Sequence, residues 1–413
     1  SPNMDRAPPP IISTDRYTRK KGAIIAAATG ILNRRGVKGM TLADVAASVD
    51  LITTSVTYYF KKKEDLAVAC FLGGIARLDH LIALALHEPT PHARLKRFLT
   101  LYLEMNRRIR LAEEPPLAIF SDIRALKEPY QSTVLSQYEQ LFRKVRSLFD
   151  AAEHDWLDRR ARNARTHLIM EQIYWTGAWL GRYDIEDYPR VGERLFDILT
   201  HGMAPAGTQW AVSTLPEKQN AGAPVTDPQR ETFLLAATAL INQQGYRGAS
   251  VEKISAKLNV TKGSFYHHNE TKDDLVVACF ERTFSIMRRV QLAAMNTPGT
   301  QWEHLAAAAT TLVDFQVSDG GPLLRTSAIS ALPESIRQDI VARWSRISDR
   351  FGAMISDGIA EGSVRAVDPV IAAHMLNAAL NAPATATRVI QNITPEEATA
   401  LYAKPMLLGV FAR

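Results

Sequence analysis

Five residues in one short segment are of the types that contact nucleic acids. They are Lys262, Gly263, Ser264, Tyr266 and His267. Short polar and amphipathic side chains of this kind can enter the major groove of DNA and reach base edges or phosphates. His267 and the neighbouring His268 have no Cys or His nearby at metal-ligand spacing, so contact with a groove is favoured over metal binding.

Two short helices are predicted to position these side chains. Ser250 can cap a first helix, whose apolar residues recur at helical spacing from Val251 to Leu258. The spacing then breaks, and Thr261 can cap a second helix that begins at Lys262. The segment therefore predicts a helix-turn-helix that carries the polar side chains on its second helix.

The letters VTKGSFYHH, followed by TKDDL, resemble the DNA-binding signature of TetR-type bacterial transcriptional regulators. That signature has a small or charged start to the recognition helix, an aromatic Tyr, and a Lys-acid-acid-Leu entry to a long connecting helix. The chain departs from it at Asn269, where the family usually has Phe. The resemblance implies a double-stranded DNA operator, a small-molecule effector bound in a helical body, and two-fold pairing through the last two helices.

The pattern occurs twice along the chain. Cys70 and Cys279 lie 209 residues apart, and the same shift aligns Gly36 with Gly245 without a gap. Weaker matches continue at shifts of 206 or 207, including Pro116-Leu117 with Pro322-Leu323 and His167 with His374. The duplication thus spans whole units and predicts two tandem TetR-like units. Each would hold a helix-turn-helix domain and a helical ligand-binding and dimerisation domain.

The recognition helix predicted for the first half, residues 52–60, differs from its counterpart in the second. Ile52 stands in place of the capping Thr261, and Thr53 replaces Lys262. Losing a lysine removes a phosphate partner, so this half should bind DNA less tightly or read a different half-site. The predicted DNA contacts are Thr41, Thr53, Thr54, Ser55, Thr57, Tyr58 and Lys63 in the first half, and Ser250, Thr261, Lys262, Gly263, Ser264, Tyr266, His267 and Lys272 in the second.

Composition narrows the remaining classes of function. The net charge of +6 and the isoelectric point near 9.2 are compatible with nucleic acid without establishing it. No apolar run approaches the roughly 18 residues that span a bilayer and no signal peptide is recognisable, so we expect a cytoplasmic protein without a membrane partner. Two cysteines in apolar runs argue against disulfides and thiolate metal sites. No enzyme motif occurs, so no enzyme, cofactor or metal is expected.

Helical periodicity with Pro and Gly boundaries, and the lack of alternating strand patterns, predict an all-α fold. The predicted segments are a helix-turn-helix domain over residues 16–63, a helical ligand-binding and dimerisation domain over 64–203, a linker over 204–228, a second helix-turn-helix domain over 229–272 and a second helical domain over 273–413. The body helices are predicted to include residues 116–125, 322–332 and 395–411.

Pairing of the two halves within one chain is the arrangement that the duplication and the resemblance together suggest. The contact would join residues 156–181 and 189–203 to residues 369–382 and 395–411. Fusing unlike halves removes the symmetry that a two-fold dimer imposes on its operator, so an asymmetric site is expected. The competing arrangement is a homodimer of two chains, which together carry four helix-turn-helix domains. A regulator that acts by protein contact, with weakened or lost DNA binding, is the alternative function.

Met, His and aromatic side chains in the bodies are the candidates for binding an apolar or aromatic effector, although such residues more often form plain core. They are Tyr102, Met105, His167, Met170 and Trp175 in the first half, and Phe315, Trp344, His374 and Met375 in the second. Ligand binding would favour one arrangement of the two helix-turn-helix domains, here called heads, and would lower the affinity for the operator. A repressor that is released by its ligand is therefore expected. The cluster Arg159-Arg160, Arg162 and Arg165 is most simply a solvated helix face, and a DNA or acidic-ligand contact stays open.

Overall fold

A computed structural model describes residues 11–216, 227–268 and 271–413, and these ranges contain helices and no strand. The all-α prediction is therefore confirmed. In chain order the helices are α1 (Ile11–Gly39), α2 (Leu42–Ser48), α3 (Thr53–Tyr59), α4 (Lys63–Ala85), α5 (Pro91–Arg110), α6 (Tyr130–Arg146), α7 (Arg159–Trp179), α8 (Tyr188–His201), α9 (Pro228–Gly248), α10 (Val251–Lys257), α11 (Lys262–His268), α12 (Lys272–Met295), α13 (Gln301–Val317), α14 (Glu334–Glu361), α15 (Pro369–Asn381), α16 (Pro395–Ala398) and α17 (Lys404–Leu408).

The helices form two compact units. The first unit comprises Ser1–Leu78 and Arg108–Glu139, and the second comprises Asp79–Arg107 and Gln140–Arg413. The second unit therefore holds the last helices of the first half of the sequence together with the described part of the second half. The bounds of the five segments proposed from the sequence stay a prediction.

In the first unit, Leu32 on α1 and Phe71 on α4 are fully buried. The Asn33 amide on α1 donates to the Leu117 carbonyl (2.9 Å) and accepts from the Ile119 N–H (3.0 Å). These bonds hold residues 117–119 in a non-helical form. The prediction of a helix over residues 116–125 is therefore wrong, because only the 3-10 segment Phe120–Ala125 is helical.

The second unit repeats this arrangement in its own residues. The Asn242 amide on α9 donates to the Leu323 carbonyl (2.8 Å) and accepts from the Arg325 N–H (2.9 Å). The helix predicted over residues 322–332 is accordingly reduced to the 3-10 segment Thr326–Ala331. The thiols repeat as well: Cys70 lies 3.7 Å from a carbonyl oxygen on α1, and Cys279 lies 3.7 Å from the equivalent oxygen on α9.

Helices from the two halves of the sequence pack against each other inside the second unit. The rings of Trp179 (α7) and His374 (α15) stack with centroids 5.1 Å apart. The Gln172 side chain on α7 donates to the Met375 carbonyl at 2.8 Å. Asp197 on α8 pairs with Arg365 at 2.9 Å. The first two contacts lie between residues 156–181 and 369–382, whereas Arg365 precedes α15.

The ends of the two halves meet in a reciprocal backbone contact. Gly202 has a φ of +66°, and a Cβ there would overlap the carbonyl of Leu407. Gly409 has a φ of +107°, and a Cβ there would overlap the carbonyl of Thr200. Gly409 lies 207 residues after Gly202, as Leu407 does after Thr200. Gly202 and Gly409 are thus equivalent positions in the two halves, and so are Thr200 and Leu407. Each glycine contacts the member of the second pair that belongs to the other half.

The last helix is interrupted rather than continuous over residues 395–411. It consists of α16, a π-helical turn at Thr399–Ala403 and α17, and it stops where Gly409 takes a positive φ.

The start of the predicted linker is attached to the second unit, because the buried Leu215 donates its N–H to the Thr311 hydroxyl (2.9 Å). Residues 217–226 of that linker lie outside the described residues, as does Asn269.

One helix, α4, is long and apolar enough to cross a membrane by length and composition alone, and half of that stretch is buried inside the protein. Its Leu66, Phe71 and Leu78 side chains are fully buried. Buried apolar side chains of this kind are typical of a core helix.

Candidate nucleic-acid interface

The second head, α9 to α11, forms the helix-turn-helix as the sequence predicts. The Ser250 hydroxyl caps α10 by accepting from the Lys253 N–H (3.1 Å), and Thr261 caps α11 by accepting from the Ser264 N–H (3.1 Å). Asn259, with a φ of +54°, makes the turn between them. Because both cap hydroxyls are occupied by backbone N–H groups, they first position α11, and their predicted DNA contact stays a prediction.

One face of α11 is open for groove contact. Phe265 is completely buried and fixes the helix on the head, whereas the following Tyr266 is 52% exposed. Lys262, Gly263 and His267 are exposed as well. Positions three or four apart on a helix lie on the same side. The helix therefore presents a cation, a phenol and an imidazole side by side, beside a glycine that allows close approach.

An exposed carboxylate partners the lysine of this face. Glu252 on α10 lies 2.6 Å from the Lys262 ammonium, and both side chains are more than half exposed. Hydrogen bonding to Lys262 lowers the pKa of Glu252 to about 2. An exposed pair of this kind contributes little to stability, so a DNA phosphate can replace the carboxylate at small cost.

Lys272, at the start of α12, is held by the head itself. It donates to the Tyr246 carbonyl, and its ammonium lies 4.2 Å from the centre of the Tyr246 ring. The neighbouring Thr271 caps α12 in a reciprocal box with Asp274. The lysine therefore stabilises the junction of α9 and α12, and its contact with DNA stays a prediction.

The first head, α1 to α3, has the same arrangement of helices but exposes different side chains. Thr41 caps α2 by accepting from the Asp44 N–H (3.0 Å). Ile52 precedes α3 without a side-chain cap and is 70% exposed, and Tyr58 is 75% exposed. The Thr57 hydroxyl donates to the Thr53 carbonyl at 2.8 Å. Of the remaining predicted contacts, Thr54 is exposed, Ser55 is half-buried, and Lys63 donates to the Lys38 carbonyl at 3.3 Å.

A tyrosine cluster on this head was missed by sequence reasoning. The Tyr17 ring lies 5.0 Å from Tyr59 and 6.3 Å from Tyr58, and the Lys21 ammonium lies 5.9 Å from the Tyr17 ring. The signal was present in the sequence, because Arg16, Lys20 and Lys21 lie close to Tyr17. The cluster fixes the orientation of α3 relative to the start of α1.

The predicted effector residues lie in the core of the second unit. The Tyr102 hydroxyl donates to the Ile173 carbonyl (2.6 Å), and burial raises the pKa of Tyr102 to about 12. Trp175 and Trp344 meet edge to face at 6.0 Å, joining the two halves. The other candidates are also buried: Met105, His167, Met170, Phe315, His374 and Met375. Their role in binding a ligand stays a prediction.

A buried polar network joins the halves around Glu171 on α7. Arg325 forms an ion pair with Glu171, and His167 lies 3.7 Å from the same carboxylate. Burial alone would raise the pKa of Glu171, but the Arg325 charge and the hydrogen bonds outweigh it and lower that pKa to about 2. His167 also bonds to the Tyr402 hydroxyl at 2.7 Å. Because the Arg325 N–H bonds to Asn242, the network reaches the first helix of the second head.

Burial and the nearby positive charge of Arg182 together lower the pKa of His374 to about 4, against the opposing effect of Asp349 and Asp368. His374 is therefore neutral near pH 7 in its stack with Trp179. Its position at the contact of the two halves makes that contact sensitive to acid.

Two family models match the chain, one of them twice. The model described as bacterial regulatory proteins, tetR family, matches residues 24–70 and residues 233–279, and the tetracyclin repressor-like C-terminal domain matches residues 298–385. The chain belongs to the TetR family. It is a tandem duplication of two TetR-type sequences, and it is a transcriptional regulator.

Similar proteins correspond to about one unit of this TetR-family regulator. The TetC protein of transposon Tn10 from Escherichia coli is 24% identical over 156 residues, which cover 36% of this chain and 78% of TetC. The HTH-type transcriptional repressor DhaR from Mycobacterium sp. (strain GP1) is 26% identical over 144 residues, covering 33% and 71%. A TetR-family regulator structure from Bordetella parapertussis 12822 matches with a TM-score of 0.38 at 19% identity, covering 44% of this chain and 94% of that one.

Proposed function

We propose that this protein is a cytoplasmic repressor whose two heads bind one asymmetric DNA operator, so that a single chain performs the task of a two-fold dimer. A small-molecule effector bound in a helical body would release it. The observation that carries the pairing proposal is the reciprocal contact of Gly202 with Leu407 and Gly409 with Thr200. Reciprocal contacts between equivalent residues are the mark of a two-fold interface, and here both partners belong to one chain.

The difference between the recognition helices supports an asymmetric operator. In the second head, α11 presents Lys262, Tyr266 and His267. In the first, α3 presents Thr53, Thr57 and Tyr58 at the equivalent positions, with no cation among them. A cation adds affinity through release of counterions from phosphate, whereas threonine and tyrosine read base edges or thymine methyl groups. The second head should therefore supply most of the salt-dependent affinity.

Unpaired buried acceptors in the second half support an effector site there. The Gln291 side chain donates to the Ile347 carbonyl, and Asn377 donates to the Ser348 hydroxyl. Their own side-chain oxygens, Gln291 Oε1 and Asn377 Oδ1, are buried without a partner among the described residues. Buried polar groups are normally satisfied, so we propose that these two oxygens accept hydrogen bonds from the effector. Its body would be apolar or aromatic.

Titration of labelled DNA tests the proposal. The DNA is the segment upstream of the regulator's own gene, and binding is followed by fluorescence anisotropy at rising salt. We expect K262Q to weaken binding and to reduce the slope of log affinity against log salt by about one. R346Q removes an exposed arginine from α14 and is the charge-matched control, which should leave the slope unchanged. Equal effects of both variants would contradict groove contact by α11.

One observation favours regulation by protein contact, rather than DNA contact, for the first head. Ile52 and Tyr58 expose apolar surface at the start and the end of α3, where a recognition helix usually presents polar groups. Such a surface suits a protein partner. If the DNA titration shows no binding, or binding that does not depend on salt, regulation by protein contact is the better account.

A further inference from the structure

Four arginines line a cleft of about 430 Å³ between the end of α6 and the start of α7. They are Arg143, Arg146, Arg159 and Arg162, and the rest of the lining is Ser147, Asp150 and Leu157. All of these residues belong to the second unit. The DNA-binding heads do not include this cleft, and none of the predicted effector residues lines it.

The lining of the cleft carries more cationic than anionic side chains. Asp150 pairs with Arg162 at 2.7 Å and is the one carboxylate in the lining. The nearby Asp158 is committed to capping α7, because it accepts from the Ala161 N–H at 2.8 Å. Arg159 is exposed and makes no hydrogen bond or ion pair within the part of the chain that the structure describes. Four guanidinium groups therefore face one carboxylate.

Two of the arginines are held in place before any ligand arrives. Arg146 donates to the Asn163 side chain at 2.9 Å. Arg162 donates to the carbonyls of Leu157 and His154, each at 3.0 Å. Groups that are already ordered lose less conformational freedom on binding. Burial lowers the pKa of Arg146, and the neighbouring arginines lower it further, which indicates that the cations repel one another.

The location of Arg159 disfavours a purely structural role for this cation. Arg159 and Arg162 lie in the first turn of α7, where the helix dipole is positive and cations are disfavoured. The second half of the chain lacks the cluster. With the shift of 206 that aligns Pro116 with Pro322, Arg143 and Arg146 correspond to Asp349 and Gly352. With the shift of 207 that aligns His167 with His374, Arg159 and Arg162 correspond to Ala366 and Pro369. A repeated framework that carries four arginines in one copy alone points to a function specific to that copy.

We propose that this cleft binds a small anion bearing two or more phosphate groups. Guanidinium groups bind phosphate oxygens in pairs, and a ring of several suits an ester or anhydride of phosphate better than a single monovalent ion. The volume falls within the range of small-ligand sites. The proposal does not depend on which head binds DNA or on an effector in the helical body.

Calorimetric titration of the full-length protein with inorganic pyrophosphate tests this assignment. We expect saturable binding of one pyrophosphate per chain, weakened on the order of tenfold in R159Q, because one charge-assisted contact is lost. Arg159 makes no hydrogen bond or ion pair among the described residues, so R159Q should fold normally, which its thermal melt would verify. R346Q, which removes an exposed arginine elsewhere, should bind as the unaltered protein does.

Other outcomes would overturn the proposal. One is the absence of saturable binding, and another is an equal loss of affinity in R159Q and R346Q, which would indicate general charge screening. A third arm titrates a short non-specific DNA duplex. If R159Q weakens binding of the duplex but leaves pyrophosphate binding unchanged, the arginines contact DNA and the small-anion assignment is wrong.

Discussion

The buried pair of Glu171 and Arg325 should contribute measurably to the stability of the contact between the two halves. Their side chains are 8% and 12% exposed. The pKa of Glu171 is lowered from 4.5 to about 2, and at 1.36 kcal/mol per pKa unit this corresponds to roughly 3 kcal/mol. Removing one partner of a buried pair costs a similar amount, about 3–5 kcal/mol, because the other charge is left unpaired. We therefore expect E171Q to lower the free energy of unfolding by about 3 kcal/mol.

Denaturant unfolding followed by tryptophan fluorescence measures this loss, because Trp175 and Trp344 meet at the contact between the halves. A double-mutant cycle of E171L, R325M and the combined variant separates the pair from its surroundings. The combined variant should be far less destabilised than either single variant, since no buried charge then remains. E281Q, which breaks the exposed pair with Arg343, is the control and should change stability by less than about 1 kcal/mol.

Acid titration gives an independent check with a defined sign. The folded pKa of Glu171 is depressed, so its contribution is present above about pH 4.5 and is lost as the pH falls towards about 2. E171Q should lack that loss. An E171Q protein as stable as the unaltered one at neutral pH, or a cycle with no interaction energy, would refute the reasoning.

Further predictions concern the contact between the halves and the two heads. G409A should destabilise the protein by more than about 1 kcal/mol in thermal unfolding, because φ is positive and the new Cβ would overlap a carbonyl, whereas G181A, with open space around it, should have little effect. Stability should fall from about pH 6.5 to about pH 4 because the folded pKa of His374 is depressed, and H374Q should remove that loss. T53K should increase the salt dependence of DNA binding by about one phosphate contact, as measured by anisotropy. N242A should weaken DNA binding, because the amide ties the second head to its body.

Helix caps and turns were predictable from the sequence because they depend on interactions between residues close together in the chain. The caps at Ser250 and Thr261 follow from a hydroxyl placed before an apolar helical pattern, and the structure confirms both. The repeat was detectable because Gly36 and Gly245 must both take a positive φ, of 73° and 75°, at the end of the first helix of each head.

The parts that sequence reasoning missed depend on contacts between distant residues. The helices expected over residues 116–125 and 322–332 fail because Asn33 and Asn242, more than 80 positions earlier, bond to the backbone there. No local pattern reveals such a bond, although the same asparagine at the same place in both halves was a usable signal. The ion pair of Glu171 with Arg325 joins residues from different halves and could not be paired from composition or spacing.

The number of chains on one operator duplex tests the central claim most directly. Light scattering on the purified complex with DNA measures the protein mass bound per duplex. The account predicts one chain of 45.8 kDa per duplex. Footprints of the same complex should show protection of the DNA at two sites, one for each recognition helix. Two chains per duplex, with each chain using only one head, would contradict it.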